Sequence, residues 1–301
     1  MSTKVVIIDS WGKQTLHAAF RDHLPNVSFS GEEFPAYDGT LSHPHGGWCA
    51  FQWLSQVTDA VDCIFLRVLS STGSGGNFRQ WMLDALTDLG LTSADYVNMS
   101  WGGGSDYPAS FKGKFEDAVN GAGCFLAAGN DGIEETMHPQ LDLVGLPNVI
   151  VVGSVNEAGI RSAWSSTGPK DAQYVECAFF GQGMLTIDPV SGNIRSWNGT
   201  SGASPNAGGA CHHHGFEGAA IPSQLRAHVL DDWDNDGIPN GINNIDKALI
   251  ESGGYHHEVG CGVGEGLRQV ALKATGRGLS VASAGAGALM VEPSYHDFKR
   301  I

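Results

Sequence analysis

Val5-Val6-Ile7-Ile8-Asp9-Ser10 is the stretch of sequence that decides the fold. Its four β-branched residues are apolar on both faces and form a run too short for a helix, which is typical of a strand buried in a parallel sheet. Asp9 ends this run, where a carboxylate is out of place unless another group pairs with it. The stretch therefore predicts a buried strand with a polar group at its carboxyl end.

Working outward from this strand, similar short apolar runs recur along the chain, at Cys63–Leu69, Tyr96–Met99, Cys124–Ala128 and Val149–Val152. Segments with a helical pattern lie between several of them, for example Phe78–Leu89 and Phe111–Val119. This alternation predicts an α/β fold with a mostly parallel central sheet flanked by helices. In such a sheet, functional loops gather at the carboxyl ends of the strands.

Composition excludes two classes of protein. The 301 residues carry 17 Lys and Arg against 32 Asp and Glu, a formal net charge of −15, so we expect no nucleic acid partner. The chain also lacks the roughly 18 to 20 continuous apolar residues of a membrane-spanning helix, so we expect no membrane insertion. A hydrophobic content of 42% is enough for one large core.

Cysteine usage and the first residues bear on the compartment. Several of the six cysteines lie within apolar runs, as buried free thiols do. The apolar run that begins at Val5 leaves no room for a secretory signal in the chain as given. We therefore expect a cytoplasmic protein; a secreted mature form or a virion-associated protein are the alternatives.

Three residues, each in a glycine-rich or strand-end context, are candidates for catalysis. Asp9 ends the first strand, His45 opens His45-Gly46-Gly47-Trp48-Cys49-Ala50, and Ser201 lies within Asn198-Gly199-Thr200-Ser201-Gly202-Ala203-Ser204-Pro205. Each has an ordinary explanation when taken alone. Asp9 would cap a turn, His45 would be a packed or surface histidine, and Ser201 would cap a helix.

Taken together, the three segments resemble the subtilisin-like serine peptidases (subtilases), in which Asp, His and Ser occur in this chain order. A fourth segment, Ala127-Ala128-Gly129-Asn130-Asp131-Gly132, resembles the family's oxyanion-hole segment. Two glycines depart from the family pattern, because Gly202 stands where a bulkier residue is usual and Gly47 where Ser or Thr is commoner. The resemblance implies the subtilisin-like three-layer fold and a serine endopeptidase that works through an acyl-enzyme.

The resemblance also assigns a role to each candidate. Ser201 would be the nucleophile and His45 the base that takes its proton and returns it to the leaving amine. Asp9 would hold the tautomer of His45 and stabilise the imidazolium. The Asn130 amide and the Ser201 backbone N–H would donate to the oxyanion. The alternative is a catalytically weak or inactive structural or binding module, for example a virion or assembly component.

Two further segments resemble the strands with which the family binds an extended polypeptide substrate. They are Gly73-Ser74-Gly75 and Ser100-Trp101-Gly102, and Ala128 and Gly129 of the oxyanion segment join them in substrate binding. Trp101 stands where the family has a smaller apolar residue, so we expect it to narrow a pocket upstream of the cleaved bond. Asp131 would lie at the rim of the primary pocket and favour basic or polar side chains there.

The last part of the chain has a different character. Residues 1–275 are assigned to the peptidase domain, with an insertion at about 231–246, and residues 276–301 to a C-terminal extension. The insertion spaces oxygen ligands as calcium loops do, at Asp232, Asp234, Asp236, Ile238, Asn240 and Asn243. It predicts structural calcium and no organic cofactor; an acidic solvated loop is the alternative.

A metal site at His212-His213-His214 is disfavoured, because adjacent histidines on a helix point in different directions.

Overall fold

The computed structural model describes residues 2–37, 40–70, 78–101, 109–132, 143–156, 160–166 and 175–226. The strands there are β1 Thr3–Asp9, β2 Val27–Glu33, β3 Val61–Arg67, β4 Tyr96–Met99, β5 Gly123–Ala127, β6 Val149–Val155, β7 Cys177–Phe180, β8 Gln182–Ile187 and β9 Ile194–Asn198. The helices are α1 Ala18–His23, α2 His45–Leu54, α3 Arg79–Leu89, α4 Ala109–Val119, α5 Thr200–His213 and α6 Ile221–Arg226. The calcium loop, the C-terminal extension and Cys261 lie outside the described residues.

Seven strands form one parallel sheet in the order β2-β3-β1-β4-β5-β6-β7. The α/β prediction is confirmed, and β1 lies inside the sheet between β3 and β4. Residues Val5 to Ile8 are fully buried, as a strand covered by helices on both faces requires. The chain passes from β3 over β1 to β4, so the carboxyl end of β1 lies at the switch in strand order, where ligands bind in such sheets.

Two apolar clusters, one on each face of the sheet, make the core. Side chains of α2 and α5 pack with Val5 and Ile7 of β1 in one cluster. Side chains of α3 and α4 pack with Val6 and Ile8 in the other. The alternation of one strand's residues between the two clusters follows from the two-residue repeat of a β-strand.

Two glycines of α5 pack directly against α2. A Cβ on Gly208 would overlap the Trp53 ring, and one on Gly209 would lie 2.7 Å from Trp53 O. Larger residues at these positions would push the helices apart. The first turns of the two helices also lie close together, since Cys49, one turn after His45, has its Sγ 3.4 Å from Ser201 O.

The antiparallel pair β8–β9 packs against both of these helices. A Cβ on Gly47 of α2 would overlap Pro189 in the turn of this hairpin, and a Cβ on Gly202 of α5 would overlap Met184 of β8. These are the two glycines that depart from the family pattern. The hairpin occupies the space that larger side chains at positions 47 and 202 would need.

Two predictions about composition can be compared with the structure. The cysteines in the described ranges are buried and free: Cys49, Cys63, Cys124, Cys177 and Cys211. Within the same ranges, none of the helices has the length and apolar character needed to cross a membrane.

Candidate active site

Asp9 and His45 form a buried hydrogen-bonded pair at the carboxyl end of β1. His45 Nδ1 lies 2.9 Å from Asp9 Oδ1 and 3.0 Å from Asp9 Oδ2. Asp9 Oδ1 also accepts hydrogen bonds from the backbone N–H and the hydroxyl of Ser10, at 2.7 and 2.9 Å. Because the carboxylate engages Nδ1, the ring presents Nε2 on the side away from Asp9.

The environment of His45 controls its protonation. Burial alone would lower the pKa of His45, but the negative charge of Asp9 and its hydrogen bond outweigh burial and raise the pKa well above its ordinary value. Cys49 lies one helical turn further along α2, with Sγ 3.8 Å from His45 Nδ1. Burial raises the pKa of Cys49, so its side chain remains a neutral thiol. This thiol donates to Ser201 O at 3.4 Å.

Ser201 is the second residue of α5, at the end where the helix dipole is positive. Its hydroxyl donates to Ser100 O at 2.9 Å. Ser100 follows β4, so the serine hydroxyl rests against the carboxyl end of the strand next to β1. A second contact ties α5 to β4, since Ser204 Oγ donates to Asn98 Oδ1 at 3.0 Å.

Asn130 is held so that its amide nitrogen faces Gly199. Its Oδ1 accepts from the Thr200 backbone N–H at 2.9 Å and from the Thr200 hydroxyl at 3.0 Å. A point at the Cβ position of Gly199 would lie 3.5 Å from Ser201 N and 3.6 Å from Asn130 Nδ2. Two hydrogen-bond donors therefore converge on one small space beside Ser201.

The segment that leads into α2 is fastened by a buried arginine. Arg67, the last residue of β3, donates to Thr40 O at 2.9 Å and to Leu41 O at 2.8 Å. It also forms an ion pair with Glu33 at 3.4 Å. Arg67 and Thr200 were not predicted as functional residues. The one sequence signal for Arg67 is that it is a cation within the apolar run Cys63–Leu69.

Comparisons of this chain with known proteins lead to the same family as the geometry of these residues. The model of the Subtilase family matches residues 5–244, which is most of the chain. The chain belongs to the subtilase family. Among its relatives, Subtilisin E of Bacillus subtilis (strain 168) is 31% identical over 215 residues, 69% of this chain and 54% of that protein. The Major intracellular serine protease of the same organism is 28% identical over 219 residues, 69% of this chain and 66% of that protein.

Solved structures show the same fold at lower identity. A cold adapted subtilisin-like serine proteinase superposes with a TM-score of 0.62 at 22% identity, covering 80% of this subtilase and 86% of that chain. A lanthipeptide protease superposes with a TM-score of 0.58 at 20% identity, covering 83% and 87%. This subtilase spans about half the length of several curated relatives, 54% in the case of Subtilisin E. The family and the fold are therefore assigned, and its activity is treated below as a proposal.

The substrate-binding residues predicted for this subtilase fall into two groups. Gly73, Ser74, Gly75 and Gly102 lie outside the described residues. Ser100 and Ala128 are buried, Gly129 N donates to the Thr200 hydroxyl at 3.0 Å, and Asp131 is exposed. Trp101 is 7% exposed, with its ring against Phe78 at a centroid distance of 5.4 Å.

Candidate metal ligands group in one place within the described part of this subtilase. Ligand atoms of Asp9, His45 and Cys49 lie within 4.8 Å of one another. The Asp9–His45 hydrogen bond already occupies two of these atoms. His212 is buried and stacks on Tyr96, whereas His213 and His214 are exposed. All six predicted calcium ligands lie outside the described residues.

Proposed function

We propose that this subtilase is a serine endopeptidase that hydrolyses peptide bonds through Asp9, His45 and Ser201 and an acyl-enzyme intermediate. One observation carries the proposal: Ser201, at the N-terminus of α5, lies beside two convergent hydrogen-bond donors, and Cys49 Sγ contacts both Ser201 O and the carboxylate-bound His45. Nucleophile activation and oxyanion stabilisation are the two requirements of acyl transfer. Family membership supports the same reaction.

In the first step, the Ser201 hydroxyl leaves its hydrogen bond with Ser100 O and turns towards His45. His45 Nε2 takes the hydroxyl proton while Ser201 Oγ attacks the carbonyl carbon of the substrate. The Asp9 carboxylate accepts from His45 Nδ1 and stabilises the imidazolium that forms. The raised pKa of His45 is consistent with this stabilisation.

The substrate carbonyl oxygen becomes negative as the tetrahedral intermediate forms. The Ser201 backbone N–H and Asn130 Nδ2 donate to it from the space beside Gly199, helped by the N-terminal end of α5. His45 then gives its proton to the leaving amine, and the C–N bond breaks. Water completes the cycle by attacking the acyl group and passing its proton to His45, which returns it to Ser201.

The substrate would be a polypeptide bound in an extended conformation between two backbone edges. We assign these edges to Gly73-Ser74-Gly75 and Ser100-Trp101-Gly102, with Ala128 and Gly129 beneath the carbonyl group. The exposed carboxylate of Asp131 would favour a basic or polar residue at the primary position. Trp101 packs against Phe78, so we assign it to the wall of an upstream pocket.

The proposal also includes a structural calcium ion and an intracellular location. The spacing of Asp232, Asp234 and Asp236, with the Ile238 carbonyl and the side chains of Asn240 and Asn243, fits a structural calcium loop. Five buried free thiols fit a reducing, intracellular compartment.

Labelling with a fluorophosphonate probe tests the proposed activity. We expect the wild type to be labelled, and Ser201→Ala and His45→Ala each to lose both labelling and cleavage of a denatured protein substrate. The double variant should cost little more than either single one, because the residues act as a unit. A folded wild type that neither labels nor cleaves would support the alternative, a binding or structural module on a subtilase fold.

A further inference from the structure

The β8–β9 hairpin is fixed against the helix that begins at His45. Gln52 Nε2 donates to Leu185 O at 2.6 Å, and Trp48 Nε1 donates to Asp188 Oδ2 at 3.2 Å. The hairpin also carries Trp197, whose ring meets His45 edge to face at a centroid distance of 5.6 Å. Trp48 and Trp197 pack together at 5.7 Å. An aromatic wall from two different elements therefore stands beside His45.

Arg195 lies on the outer side of this wall. Its guanidinium carbon is 5.1 Å from the Trp48 ring centroid, a cation–π distance. The Trp48 ring is in turn 6.2 Å from the His45 ring. A single indole thus separates a cation from the proposed general base.

Arg195 is the exposed partner of an ion pair on this hairpin. Arg195 pairs with Asp188 at 3.5 Å, but its side chain is 47% exposed while that of Asp188 is 7% exposed. Burial would raise the pKa of Asp188, yet hydrogen bonds from Ser191, Trp48 and Val190 hold it below its usual value. These neutral donors already stabilise the carboxylate. The exposed guanidinium of Arg195 therefore has N–H donors and positive charge available to bind a second carboxylate.

The reaction itself fixes which part of the substrate passes this wall. His45 must protonate the leaving nitrogen, so the residues after the cleaved bond run beside His45. The acyl part would lie against the groups that contact Ser201 from β4 and Asn130, namely Ser100 O and the donors of Asn130 and Ser201. The Trp48–Trp197 wall and Arg195 are therefore on the leaving-group side.

We propose that Arg195 forms a carboxylate-binding subsite on the leaving-group side. The enzyme would then favour Glu or Asp within about three residues after the cleaved bond, because an extended chain of that length reaches past the Trp48 ring. The inference rests on the proposed peptidase activity and adds a substrate class to it. Stacking on Trp48 and pairing with Asp188 orient the guanidinium beforehand, which reduces the entropy lost on binding.

Quenched-fluorescence peptides test the subsite. The set shares one acyl part and amidated C-termini, and carries Glu, Gln or Lys at each of the first three positions after the cleaved bond. At low ionic strength we expect kcat/KM for the best Glu peptide to exceed that of its Gln partner by about fivefold, a preference that salt weakens. Arg195→Gln should bring this ratio close to one, and Arg195→Glu should favour the Lys peptide.

Lys114→Gln is the matched control, because it removes one exposed positive charge from α4, on the other face of the sheet, and should retain the Glu preference. A Glu-to-Gln ratio near one in the wild type, or a preference that survives in folded Arg195→Gln, overturns the subsite. A peptide with a free C-terminal carboxylate is also compared with its amidated partner. If the free carboxylate speeds cleavage by the wild type and not by Arg195→Gln, the subsite is supported, with the chain end as its ligand. If no peptide is cleaved and the fluorophosphonate probe does not label Ser201, the proposed activity itself fails, and the subsite with it.

Discussion

Met184 of β8 fills the space that a side chain on Gly202 of α5 would occupy. Gly202 directly follows Ser201, so the thioether of Met184 packs beside the proposed nucleophile from a different element. Met184 is fully buried, and its sulfur lies 3.6 Å from Asn206 Nδ2 on the same helix. Met184 of the β8–β9 hairpin thus fills the volume left by the missing side chain at position 202. This contact packs the hairpin against α5, the helix that carries Ser201.

We therefore expect Gly202→Ala to destabilise the protein by roughly 1 to 3 kcal/mol, the usual cost of overpacking a core. Met184→Ala removes the colliding atoms, so the double variant should be more stable than the sum of the single effects predicts. Gly113→Ala in α4 is the control, since no atom lies within 4 Å of the Cβ it would gain. It should be neutral or stabilising, as expected for Gly→Ala in an open helical position. Additive losses in urea unfolding would show that the two residues do not compete for one space.

Thr200 is expected to act through Asn130. Its hydroxyl donates to Asn130 Oδ1 at 3.0 Å and accepts from Gly129 N at 3.0 Å. Thr200→Val keeps the shape and the backbone N–H bond to Asn130 Oδ1 but removes the hydroxyl that also donates to it. With the Asn130 amide held less firmly, kcat should fall about tenfold with little change in KM, the usual effect of losing one hydrogen bond. Asn130→Ala should cost about 10²- to 10³-fold, the loss measured for such a donor in a subtilisin.

Thr200→Ser retains the hydroxyl and should keep most of the activity. In an Asn130→Ala background, Thr200→Val should add little, because the group it orients is gone. An undiminished tenfold loss in that background would mean that Thr200 acts independently of Asn130.

The Asp9–His45 pair predicts an unusual pH dependence. His45 must be neutral to accept a proton, and Asp9 holds its pKa above the ordinary value, so kcat/KM should rise with pH through a pKa above about 6.5. Asp9→Asn removes the negative charge beside His45. Burial of His45 remains, and burial lowers the pKa of the imidazole. The acid limb should then move to lower pH while kcat falls by on the order of 10⁴-fold. A profile whose acid limb stays in place in Asp9→Asn would contradict the assignment.

The residues of the site differ in how far the sequence predicts them. Asp9, His45, Asn130 and Ser201 each lie in a short local motif, where strand ends and glycines limit what the backbone can do. Arg195 lies in no such motif. Its position beside Trp48 depends on how a hairpin packs onto a helix more than 100 residues earlier in the chain, and no local pattern encodes such packing.

The same limit applies to the fold. The buried strands β1 and β3 to β6 each contain a short, mostly apolar run, and the sequence predicts them from it. β2 at the sheet edge alternates half-buried and exposed residues over most of Val27–Glu33, and Gly31 and two glutamates weaken its β-strand pattern. It was not predicted, because its pairing with β3 supplies the stability that its own residues do not indicate.

Calcium should stabilise the protein without changing its chemistry. Asp232, Asp234 and Asp236 repel one another unless a cation neutralises them. Free calcium at about 100 times its dissociation constant should add about 2.7 kcal/mol to the free energy of unfolding. Asp234→Asn should abolish the response of Tm to calcium, whereas Asp59→Asn, which removes the same charge from an exposed position, should retain it. A metal-free protein whose Tm ignores both calcium and chelator would identify the stretch as a solvated acidic loop.

His212 is expected to make the protein sensitive to acid. Burial lowers its pKa to about 4, and the neutral ring accepts a hydrogen bond from Trp53 Nε1 at 3.4 Å. Above pH 6.5 the ring is neutral in both the folded and the unfolded chain, so it does not make stability depend on pH. Between pH 6.5 and about 4 only the unfolded chain gains the proton, and stability falls by about 2 kcal/mol at pH 5. His212→Gln, which can still accept from Trp53, should lose this part of the pH dependence when urea unfolding is compared at pH 7 and pH 5. His213→Gln, at the exposed neighbouring position, should keep the wild-type difference, and equal differences in all three proteins would show that His212 is not the group responsible.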